Sequence, residues 1–385
     1  MIADFGERIK MRIAMIGVKG IAASSVQGGG IERHVEMLAE RLAARGHRVT
    51  VYVRPYGNPE RRKTWSGVRL VTIPTLRNKY LDTILYTFLA TLRVLTAKAD
   101  VIHYHGVGPS TLSWIPRLLK PYARVFVTFH SRDRYHEKWG LFARAFLAFG
   151  EWSACNFPHR TIAVSHGIEL FCKQMYGRDA IYIPNGVEIP KGETGTSYLK
   201  ELELEPNEYV MTLGRLIPIK AHEDAIKAFR EIDTKKKLLI VGEPSMYDTP
   251  YHLMLEQLAA KDPRVVLMGF RGGEELKQLL AHCYCMIHPS RIEGLSVAIL
   301  EAMSYGKLIV MSDIPANREL VDHSGIAFPQ GNISKLRDAL QWVLSDPILV
   351  KIRGERAREI VKKLYSWDRI IRRIEAEYAS AFENT

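Results

Sequence analysis

The sequence predicts an α/β protein with two doubly wound domains, each built on a parallel sheet. The chain has 385 residues, more than a single hydrophobic core usually supports. Short apolar segments rich in β-branched residues alternate with amphipathic segments along both halves, which is typical of parallel strands covered by helices on both faces. This alternation is interrupted once, near the middle, where Pro, Gly, Thr and charged residues replace it.

Each half contains five strand-like segments, and these define the domains. They read RIAMIGV, HRVTVYV, DVIHYHG, RVFVTFH and RTIAVS, and then EYVMTLG, KLLIVGE, RVVLMGF, CYCMIHPS and KLIVMSD. We assign residues 1–185 to the first domain, 186–206 to a linker and 207–364 to the second domain. Residues 365–385 are predicted to form a final helix whose apolar stripe must pack on a domain already formed. Because ligands of doubly wound sheets bind outside the carboxyl ends of the strands, we expect loops from both domains to face a central cleft and form the site.

The basic residues are concentrated in one half of the chain. The net charge is +12, and residues 1–190 carry 27 Lys and Arg against 14 Asp and Glu, whereas residues 191–385 carry 27 against 28. A basic first half suits an anionic partner, which could be nucleic acid, a phosphorylated substrate or an acidic membrane surface. A well-solvated basic surface without a partner is the alternative.

Composition also limits the compartment. Four cysteines are too few for a disulfide framework in a chain of this length, so we expect a reducing, cytoplasmic compartment. The opening residues, MIADFGERIK, lack the apolar core of a secretory signal. No segment has the roughly 20 consecutive apolar residues that span a bilayer. Residues 80–95 come nearest, but charged residues interrupt them and the pattern predicts an amphipathic helix.

Two features of the first half are candidates for ligand contact. Gly28, Gly29 and Gly30 precede a long amphipathic helix, where a glycine-rich turn would let an anion or a sugar approach the backbone N–H groups of the helix N-terminus. The spacing differs from the dinucleotide fingerprint, and a loop without special function is the alternative. His130 ends the segment RVFVTFH, so it lies at the carboxyl end of a strand and could donate a hydrogen bond into the site or cap its own loop.

The second half opens with two cations near one strand end. Arg215 follows the segment EYVMTLG, and Lys220 comes five residues later, just before a predicted helix. Arg binds phosphate oxygens in a bidentate manner and Lys acts as a point charge, so the pair suits a diphosphate beside a helix N-terminus. Part of the charge in this region is ordinary helix decoration.

Two glutamates in RIEGLSVAILEA form the third candidate. Glu293 lies in a turn after a strand, and Glu301 is two turns into an otherwise apolar helix. A carboxylate projecting from a buried helix is costly unless it is paired or hydrogen-bonded. A ligand diol, such as a ribose, or a salt bridge to a neighbouring Arg or Lys would each supply the missing partner.

Together these segments resemble the family 4 glycosyltransferases, whose GT-B fold has two Rossmann-like domains facing a central cleft. The resemblance covers nearly the whole chain after about residue 11, in the family's order, through GGGIERHVEMLAERLAARGHRVTVY, IPNGV, GRLIPIK, HPSRIEGLSVAILEAMSYGKLIVMSD and YSWDRI. The most specific part is the E-x7-E pair, Glu293 and Glu301, with the upstream G-R-x4-K of Arg215 and Lys220.

The resemblance implies transfer of a sugar from a nucleotide-diphosphate donor to a hydroxyl acceptor, with retention of the anomeric configuration. It implies that Glu301 binds the ribose, that Glu293 lies beside the donor sugar ring, and that Arg215 and Lys220 stabilise the diphosphate leaving group. The backbone N–H groups that would assist belong to Gly294, Leu295 and Ser296.

For the first domain, the resemblance implies that His130 contacts the transferred sugar and that Gly29 and Gly30 lie near the phosphates. It further implies that this domain binds the acceptor and that the final helix crosses back onto it. We expect a lipid-linked or cell-surface polysaccharide or glycolipid intermediate as acceptor, and a peripheral position at the inner face of the membrane. The membrane expectation depends on the basic first half and on Arg77, Lys79, Arg93 and Lys98 around residues 80–95.

No Asp-x-Asp element is present, so we expect no obligatory cofactor or metal, and Mg²⁺ is not required. Cys283 and Cys285 alternate on a predicted strand without a second ligand pair, which indicates core cysteines and not a zinc site.

Two other functions are compatible with parts of the pattern. Sugar-nucleotide 2-epimerases share the fold and hold a nucleotide diphosphate, and they would convert free donor without any acceptor. A basic nucleic-acid-binding protein is the remoter alternative. Because the sequence has no recognisable motif for reading bases and no aromatic stacking platform, we expect no nucleic-acid partner.

Overall fold

The computed structural model describes residues 10–21, 29–76, 78, 81–135, 139–244 and 249–383, apart from the side chains of residues 322–324. The chain divides into two compact units. The first comprises Met1–Pro184 and Trp367–Thr385, and the second is Asn185–Ser366. Each unit has its own sheet, so the predicted pair of doubly wound α/β domains is confirmed.

The first unit is built on a sheet with the strand order β3-β4-β2-β1-β5-β6-β7-β8, parallel except for the β3/β4 pair. The strands are β1 (Arg12–Ile16), β2 (Arg48–Val53), β3 (Thr64–Trp65), β4 (Val68–Thr72), β5 (Val101–His105), β6 (Arg124–Phe129), β7 (Arg160–Ala163) and β8 (Ile181–Tyr182). The helices are α1 (Gly30–Ala44), α2 (Leu81–Thr96), α3 (Val107–Ser110), α4 (Trp114–Leu119), α5 (Leu141–Asn156) and α6 (His166–Tyr176). Every residue of β5 and β6 is buried, as expected for central strands covered on both faces.

The second unit has the order β11-β10-β9-β12-β13-β14, and all its pairings are parallel. The strands are β9 (Tyr209–Leu213), β10 (Lys237–Val241), β11 (Val265–Gly269), β12 (Met286–His288), β13 (Ile309–Ser312) and β14 (Gly325–Phe328). The helices are α7 (Ser197–Glu201), α8 (His222–Arg230), α9 (Thr249–Ala259), α10 (Gly273–His282), α11 (Val297–Ser304), α12 (Pro315–Ser324), α13 (Ile333–Ser345) and α14 (Pro347–Leu364). This is the strand order of a Rossmann sheet.

The final helix, α15 (Trp367–Glu383), belongs to the first unit. Its apolar stripe is buried in the same core as β1, β2 and α1, through Trp367, Ile370, Ile371, Ile374 and Tyr378. On its polar side, Glu375 accepts a hydrogen bond of 2.7 Å from Arg45 Nε, at the end of α1. The final amphipathic helix therefore packs against elements that lie more than 300 residues earlier in the chain.

Residues 186–206, which the sequence analysis treats as a linker, lie within the second unit. They include α7, where Leu199 is completely buried and the Tyr198 N–H donates to Gln278 Oε1 of α10 at 2.8 Å. The segment lacks periodicity because it contains only one short helix, but that helix is packed against the unit.

Within the described residues, no helix is both long and apolar enough to span a bilayer.

Candidate active site

The predicted donor site of the second unit lies where its strand order reverses. β9 and β12 are neighbours at the middle of the sheet, and from them the chain proceeds toward opposite edges. The loop after β9 carries Arg215 and Lys220, and the loop after β12 carries Glu293. The carboxyl ends of two such strands leave a crevice between the connections that diverge from them, where ligands of this fold bind.

These two loops are joined by the Lys220–Glu293 ion pair. Lys220 Nζ donates to Glu293 Oε1 at 2.5 Å, and both side chains are largely buried. His288, the last residue of β12, contacts the same Oε1 through Nε2 at 2.9 Å. Ser290 Oγ lies 3.1 Å from that nitrogen. The carboxylate is therefore held by a cation from one loop and an imidazole from the adjacent strand.

The electrostatics of Glu293 follow from these partners. Burial opposes its ionisation, but the Lys220 ammonium and the hydrogen bond from His288 outweigh burial and hold the pKa of Glu293 well below its ordinary value. The same burial lowers the pKa of His288, although Glu293 partly counters the effect. Glu293 is thus an anion at neutral pH, and an ionised buried carboxylate requires a permanent partner.

The turn that presents Lys220 is backbone-strained. Ala221 has a φ of 51°, in the left-handed region, and is completely buried at the start of α8. A non-glycine residue in this region costs on the order of 1–3 kcal/mol, so the surrounding packing must hold it there. The strained residue fixes where the chain turns into α8, directly after Lys220.

Arg215 lies in the same loop but is exposed. Its carbonyl accepts from His222 Nε2 at 3.2 Å, while His222 Nδ1 lies 2.8 Å from Thr212 Oγ1 in β9. Burial lowers the pKa of His222 to about 4, so this imidazole acts as a neutral clamp on the loop. In the part of the chain that the structure describes, the Arg215 guanidinium makes no ion pair.

The backbone of the loop that carries Arg215 packs closely against the backbone of the loop that follows β10. A Cβ placed on Gly242 would lie 1.8 Å from the carbonyl oxygen of Gly214. Leu216 N also donates to the carbonyl of Glu243 at 2.8 Å. Glycine is therefore required at position 242 for the two loops to meet.

The structure adds a second ionic link between the loops that sequence reasoning missed. Arg291 Nη2 lies 3.1 Å from Glu223 Oε1 and 3.3 Å from Asp224 Oδ2, in the first turn of α8. Tyr251 of α9 donates its hydroxyl to Glu223 and accepts from the His222 N–H. From the sequence, the acidic residues at the start of α8 are explained by favourable interaction with the helix dipole. The available signal that they also bind a cation was Arg291, which lies two residues before Glu293.

The N-terminus of α11 adjoins Glu293. Gly294, Leu295 and Ser296 are buried, and the Ser296 hydroxyl caps the helix by accepting from Ile299 N at 3.5 Å. Leu295 is fixed by its carbonyl, which accepts from Asn185 Nδ2 at 2.8 Å. Glu301, two turns along α11, is only partly buried.

In the first unit, His130 follows β6 directly and is 6% exposed. The sequence suggested an open polar loop at this point, yet the ring is packed beside His34 and lies 3.3 Å, Nε2 to Nδ1, from His105. Burial lowers the pKa of His130 well below its ordinary value, and His34 and His103 add to the effect. The imidazole is therefore uncharged at neutral pH.

One backbone N–H group of the glycine-rich turn before α1 already has a hydrogen-bond partner within the chain. Gly29 is the extended residue that begins α1, and its N–H donates to Glu32 Oε2 at 2.8 Å. Gly30 is the first helical residue, and Gly28 lies outside the described residues. The glycine pattern predicts N–H groups that are open to an anion, whereas the Gly29 N–H already donates to a carboxylate. A phosphate could therefore use this N–H only if Glu32 moved.

The structure thus brings Lys220, Glu293 and the start of α11 together in the second unit and places His130 and Gly29 in the first. Arg77 and Lys79, predicted near a membrane, lie outside the described residues. The ligand-binding roles of all these side chains stay predictions.

Comparison with known proteins gives two family matches and close structural likenesses. The model described as Glycosyltransferase Family 4 matches residues 28–190, and the model described as Glycosyl transferases group 1 matches residues 207–346. The gpi3 subunit of a phosphatidylinositol N-acetylglucosaminyltransferase from Schizosaccharomyces pombe is 24% identical over 92% of this chain and 78% of its own length.

Two solved structures show the same fold. Sucrose-phosphate synthase from Thermosynechococcus elongatus has a TM-score of 0.85 at 21% identity, covering 98% of this chain and all of that one. HepE from Anabaena, in complex with UDP-glucose, has a TM-score of 0.77 at 19% identity, covering 97% of this chain and all of that one. These likenesses confirm the GT-B fold, and the matches to transferase models do not favour the epimerase alternative. Both halves match transferase models in the order the sequence motifs predict, and the chain therefore belongs to the family 4 glycosyltransferases, as an enzyme of the hexosyltransferase type.

Proposed function

We propose that this chain moves a sugar from a uridine-diphosphate sugar to a hydroxyl group of a lipid-linked or cell-surface saccharide acceptor, with retention of the anomeric configuration, at the inner face of a membrane. The observation that carries the proposal is the Lys220–Glu293 pair beside the N-terminus of α11, at the reversal point of the second sheet.

The donor diphosphate is the ligand that these charges fit best. Arg215 is exposed in the loop that carries Lys220, Lys220 belongs to the ion pair, and the first N–H groups of α11 follow Glu293 in the chain. Two cations and a helix N-terminus compensate the two charges of a diphosphate. The bound UDP-glucose of HepE, a protein of the same fold, supports uridine diphosphate as the carrier.

Glu293 keeps a partner when Lys220 turns to the diphosphate. His288 continues to donate to Glu293 Oε1, so the carboxylate stays charged and oriented. Its other oxygen is then suited to accept a hydrogen bond from a hydroxyl of the donor sugar. Glu301, partly exposed on α11, is suited to accept from the two ribose hydroxyls.

The reaction breaks the bond between the anomeric carbon and the diphosphate oxygen. Negative charge grows on that oxygen, and preorganised cations and N–H groups stabilise it more in the transition state than in the ground state. Retention without an enzymatic nucleophile requires the acceptor hydroxyl to attack from the face that the diphosphate leaves. The departing oxygen can then take the acceptor's proton.

The donor assignment is tested by thermal shift with UDP, GDP, dTDP, ADP and CMP, each with and without Mg²⁺. A ligand at 100 times its Kd stabilises the folded state by about 2.7 kcal/mol. We expect a selective rise in melting temperature with UDP that is independent of Mg²⁺ and is reduced in Arg215→Ala. The control is Arg178→Ala, an exposed arginine of the first unit. No response to any nucleotide, or an equal response in Arg215→Ala, would contradict the donor site.

The stereochemistry is tested on the product. NMR coupling at the new anomeric centre distinguishes retention from inversion when a UDP-α-sugar is the donor. The same donor incubated without acceptor tests the epimerase alternative, which predicts a changed configuration at the sugar's second carbon.

The acceptor proposal depends on an exposed apolar surface next to basic residues, which we call the α2/α4 surface. It comprises Phe88 and Leu92 on α2 with Leu118 and Leu119 on α4, all exposed. Lys120, buried at the end of α4, donates to the carbonyls of Val94 and Leu95 at 2.9 and 3.0 Å and thereby joins the two helices.

Exposed Arg93, Lys98 and Arg117 flank this surface. Leucines beside basic residues are typical of contact with an anionic lipid headgroup layer. The Schizosaccharomyces pombe relative is, by name, a subunit of a transferase for phosphatidylinositol, which supports an acceptor held in a membrane.

The membrane part is tested by flotation with vesicles of phosphatidylcholine alone or with added phosphatidylglycerol. We expect binding only to the anionic vesicles, and loss of binding in Leu118→Ser/Leu119→Ser. Ile348→Ser is the matched control, since Ile348 is 71% exposed on α14 of the second unit and Leu119 is 69% exposed. Binding that ignores lipid charge, or an equal loss in both variants, would remove this surface from the proposal.

A further inference from the structure

Three imidazoles from three separate elements meet in the first unit. His34 lies on α1, His105 ends β5 and His130 follows β6. All three are buried, with exposures of 3%, 1% and 6%. They lie at the carboxyl ends of β5 and β6 and beside α1, the helix that follows β1, and β1 is paired with β5.

The geometry of this cluster is close to that of a metal site. One ring nitrogen from each histidine lies within 4.8 Å of the other two. His105 Nδ1 and His130 Nε2 are 3.3 Å apart. A tetrahedral zinc ion with nitrogen ligands at 2.0–2.1 Å holds those nitrogens about 3.4 Å apart, so the closest pair already has the required spacing.

The cluster is supported from below by a fourth imidazole that is not itself available as a ligand. His103 packs under His105 with 4.1 Å between ring centroids. Both nitrogens of His103 are engaged, Nδ1 with the Tyr378 hydroxyl at 2.6 Å and Nε2 with Thr128 Oγ1 at 2.7 Å. A rigid, aromatic surrounding of this kind orients ligand rings and limits solvent access.

The hydrogen bonds present leave one nitrogen of His105 unsatisfied. Among the described residues, His105 Nε2 is buried without a hydrogen-bond partner. An unsatisfied buried polar atom costs about 1–3 kcal/mol. A metal ion bound at His105 Nδ1 would not remove the cost at Nε2. It would, however, replace the 3.3 Å contact between His105 and His130 with two metal–nitrogen bonds.

The donor set limits which ion fits. Uncharged imidazole nitrogens suit Zn²⁺, Co²⁺, Ni²⁺ and Cu²⁺, whereas Mg²⁺ and Ca²⁺ prefer oxygen ligands. Among the residues that the structure describes, the candidate ligands that lie close enough together here are all histidines. The cluster is therefore distinct from any Mg²⁺ that could accompany a nucleotide diphosphate.

We propose that His34, His105 and His130 form a three-histidine site for a divalent transition-metal ion of the zinc class, with one coordination position left for water or another small ligand. Binding of the ion occupies the His130 nitrogen. If His130 contacts the transferred sugar in the proposed transfer reaction, as the family resemblance implies, the ion inhibits transfer and does not activate it.

The test is a titration of the untagged, chelator-treated chain with Co²⁺ in the absence of any substrate. Four-coordinate Co²⁺ gives intense visible d–d bands, whereas hexa-aqua Co²⁺ is nearly colourless. We expect these bands to saturate at one equivalent and to disappear when one equivalent of Zn²⁺ is added. This readout is independent of nucleotide binding and of turnover, so its failure does not affect the proposed transferase function.

Two variants assign the ligands. His105→Phe keeps an aromatic ring over His103 but removes a ligand, and His34→Gln retains polarity and approximate size. Loss of a group that only orients a metal ligand weakens metal binding about 10–100-fold, so loss of a ligand should weaken Zn²⁺ binding by at least about 100-fold. His166→Phe is the matched control, because His166 is an exposed histidine of the same unit that stacks on Tyr182.

The outcomes separate cleanly. Intense bands in the wild type and in His166→Phe, lost in whichever ligand variants still melt cooperatively, support the site. Weak bands typical of six-coordinate Co²⁺ in the wild type, or intense bands that persist in a folded ligand variant, overturn it. The cluster would then be a set of imidazoles that contact one another without a metal.

Discussion

The two units place different kinds of polar group at the carboxyl ends of the central strands of a doubly wound sheet. In the second unit, the loops after the central strands hold a charged pair, Lys220 and Glu293, with His288 as a third partner. In the first, His105 and His130 lie at the ends of β5 and β6, the strands that take the places of β12 and β13, and burial keeps both imidazoles uncharged. A departing diphosphate needs positive charge, which the second unit offers. A hydroxyl acceptor or a sugar needs only hydrogen-bonding groups, and the neutral imidazoles of the first unit are of this kind.

The difference in charge also determines how much stability a substitution at each site should cost. A buried ion pair is vulnerable to loss of either partner, because the remaining charge is left uncompensated, at a cost of about 3–5 kcal/mol. In a cluster of neutral rings, removing one hydrogen-bonding group while its ring stays in place costs less, about 1–3 kcal/mol. Substitutions in the two units should therefore differ in size and in kind.

The largest effect is expected for Lys220→Ala. The substitution removes a cation from the developing diphosphate charge and leaves Glu293 buried with only His288. Loss of one electrostatic contact to a transition state lowers kcat about 100- to 1000-fold, and we expect a fall in this range in steady-state transfer assays. Lys261→Ala, an exposed lysine of the same unit, is the control. A fall below tenfold, with the fold intact by circular dichroism, would show that Lys220 serves only the ion pair.

The second prediction separates binding from turnover. His130→Ala should lower kcat about 10- to 100-fold with UDP affinity unchanged, because a positioned hydrogen-bonding group acts on the transferred sugar. Glu301→Gln should weaken UDP binding about tenfold, because the amide accepts the ribose hydroxyls less strongly than a carboxylate does. Calorimetry gives the affinities, and assays with a chelator exclude an effect of metal at His130.

Equal losses of UDP affinity in the two variants would contradict these roles. So would unchanged binding and turnover in both, since neither side chain would then contact the donor.

Particular elements show how far the sequence alone could go. The continuous apolar segments that became β5, β6, β9, β10 and β13 were predicted because central parallel strands are apolar on both faces. β3, β4, β8 and β14 were not identified, because strands at or near the edges are short or partly exposed and their pattern is weak. Apart from β11, an edge strand whose apolar segment was predicted, sequence periodicity therefore located the centre of each sheet better than its margins.

The sequence was enough to identify the residues of the candidate site, but not to predict which of them are in contact. Lys220 and Glu293 were each singled out, yet their contact depends on β9 lying beside β12, which the sequence does not specify. His105 and His130 approach because β5 pairs with β6, and His34 joins them from α1. Only His103 and His105, two positions apart on one strand and hence on one face, were a local signal for the histidine cluster.

The third prediction uses acid to test the charged pair. Because the folded pKa of Glu293 lies below its ordinary value of 4.5, the stability that the pair contributes is complete above about pH 4.5 and is lost as the pH falls through the lower folded pKa. Wild type should therefore exceed Glu293→Gln in melting temperature at pH 7, and the difference should shrink between about pH 4.5 and pH 3.

Glu205→Gln is the control, since Glu205 is an exposed carboxylate of the same unit. Its difference from wild type should stay near zero at every pH. A difference between wild type and Glu293→Gln that grows in acid would contradict the sign of the Glu293 shift.

The smallest effect is expected where neutral groups meet. Tyr378→Phe removes the hydroxyl that contacts His103 Nδ1 at 2.6 Å and leaves a buried imidazole nitrogen without that partner. We expect the free energy of unfolding to fall by about 1–2 kcal/mol, measured from the urea midpoint, because the ring itself still fills its place in the core. Tyr122→Phe, with 64% exposure in the same unit, should change nothing. If Tyr378→Phe instead cost as much stability as Glu293→Gln at pH 7, the neutral support under the histidine cluster would be as demanding as the charged pair, and the contrast between the two units would fail.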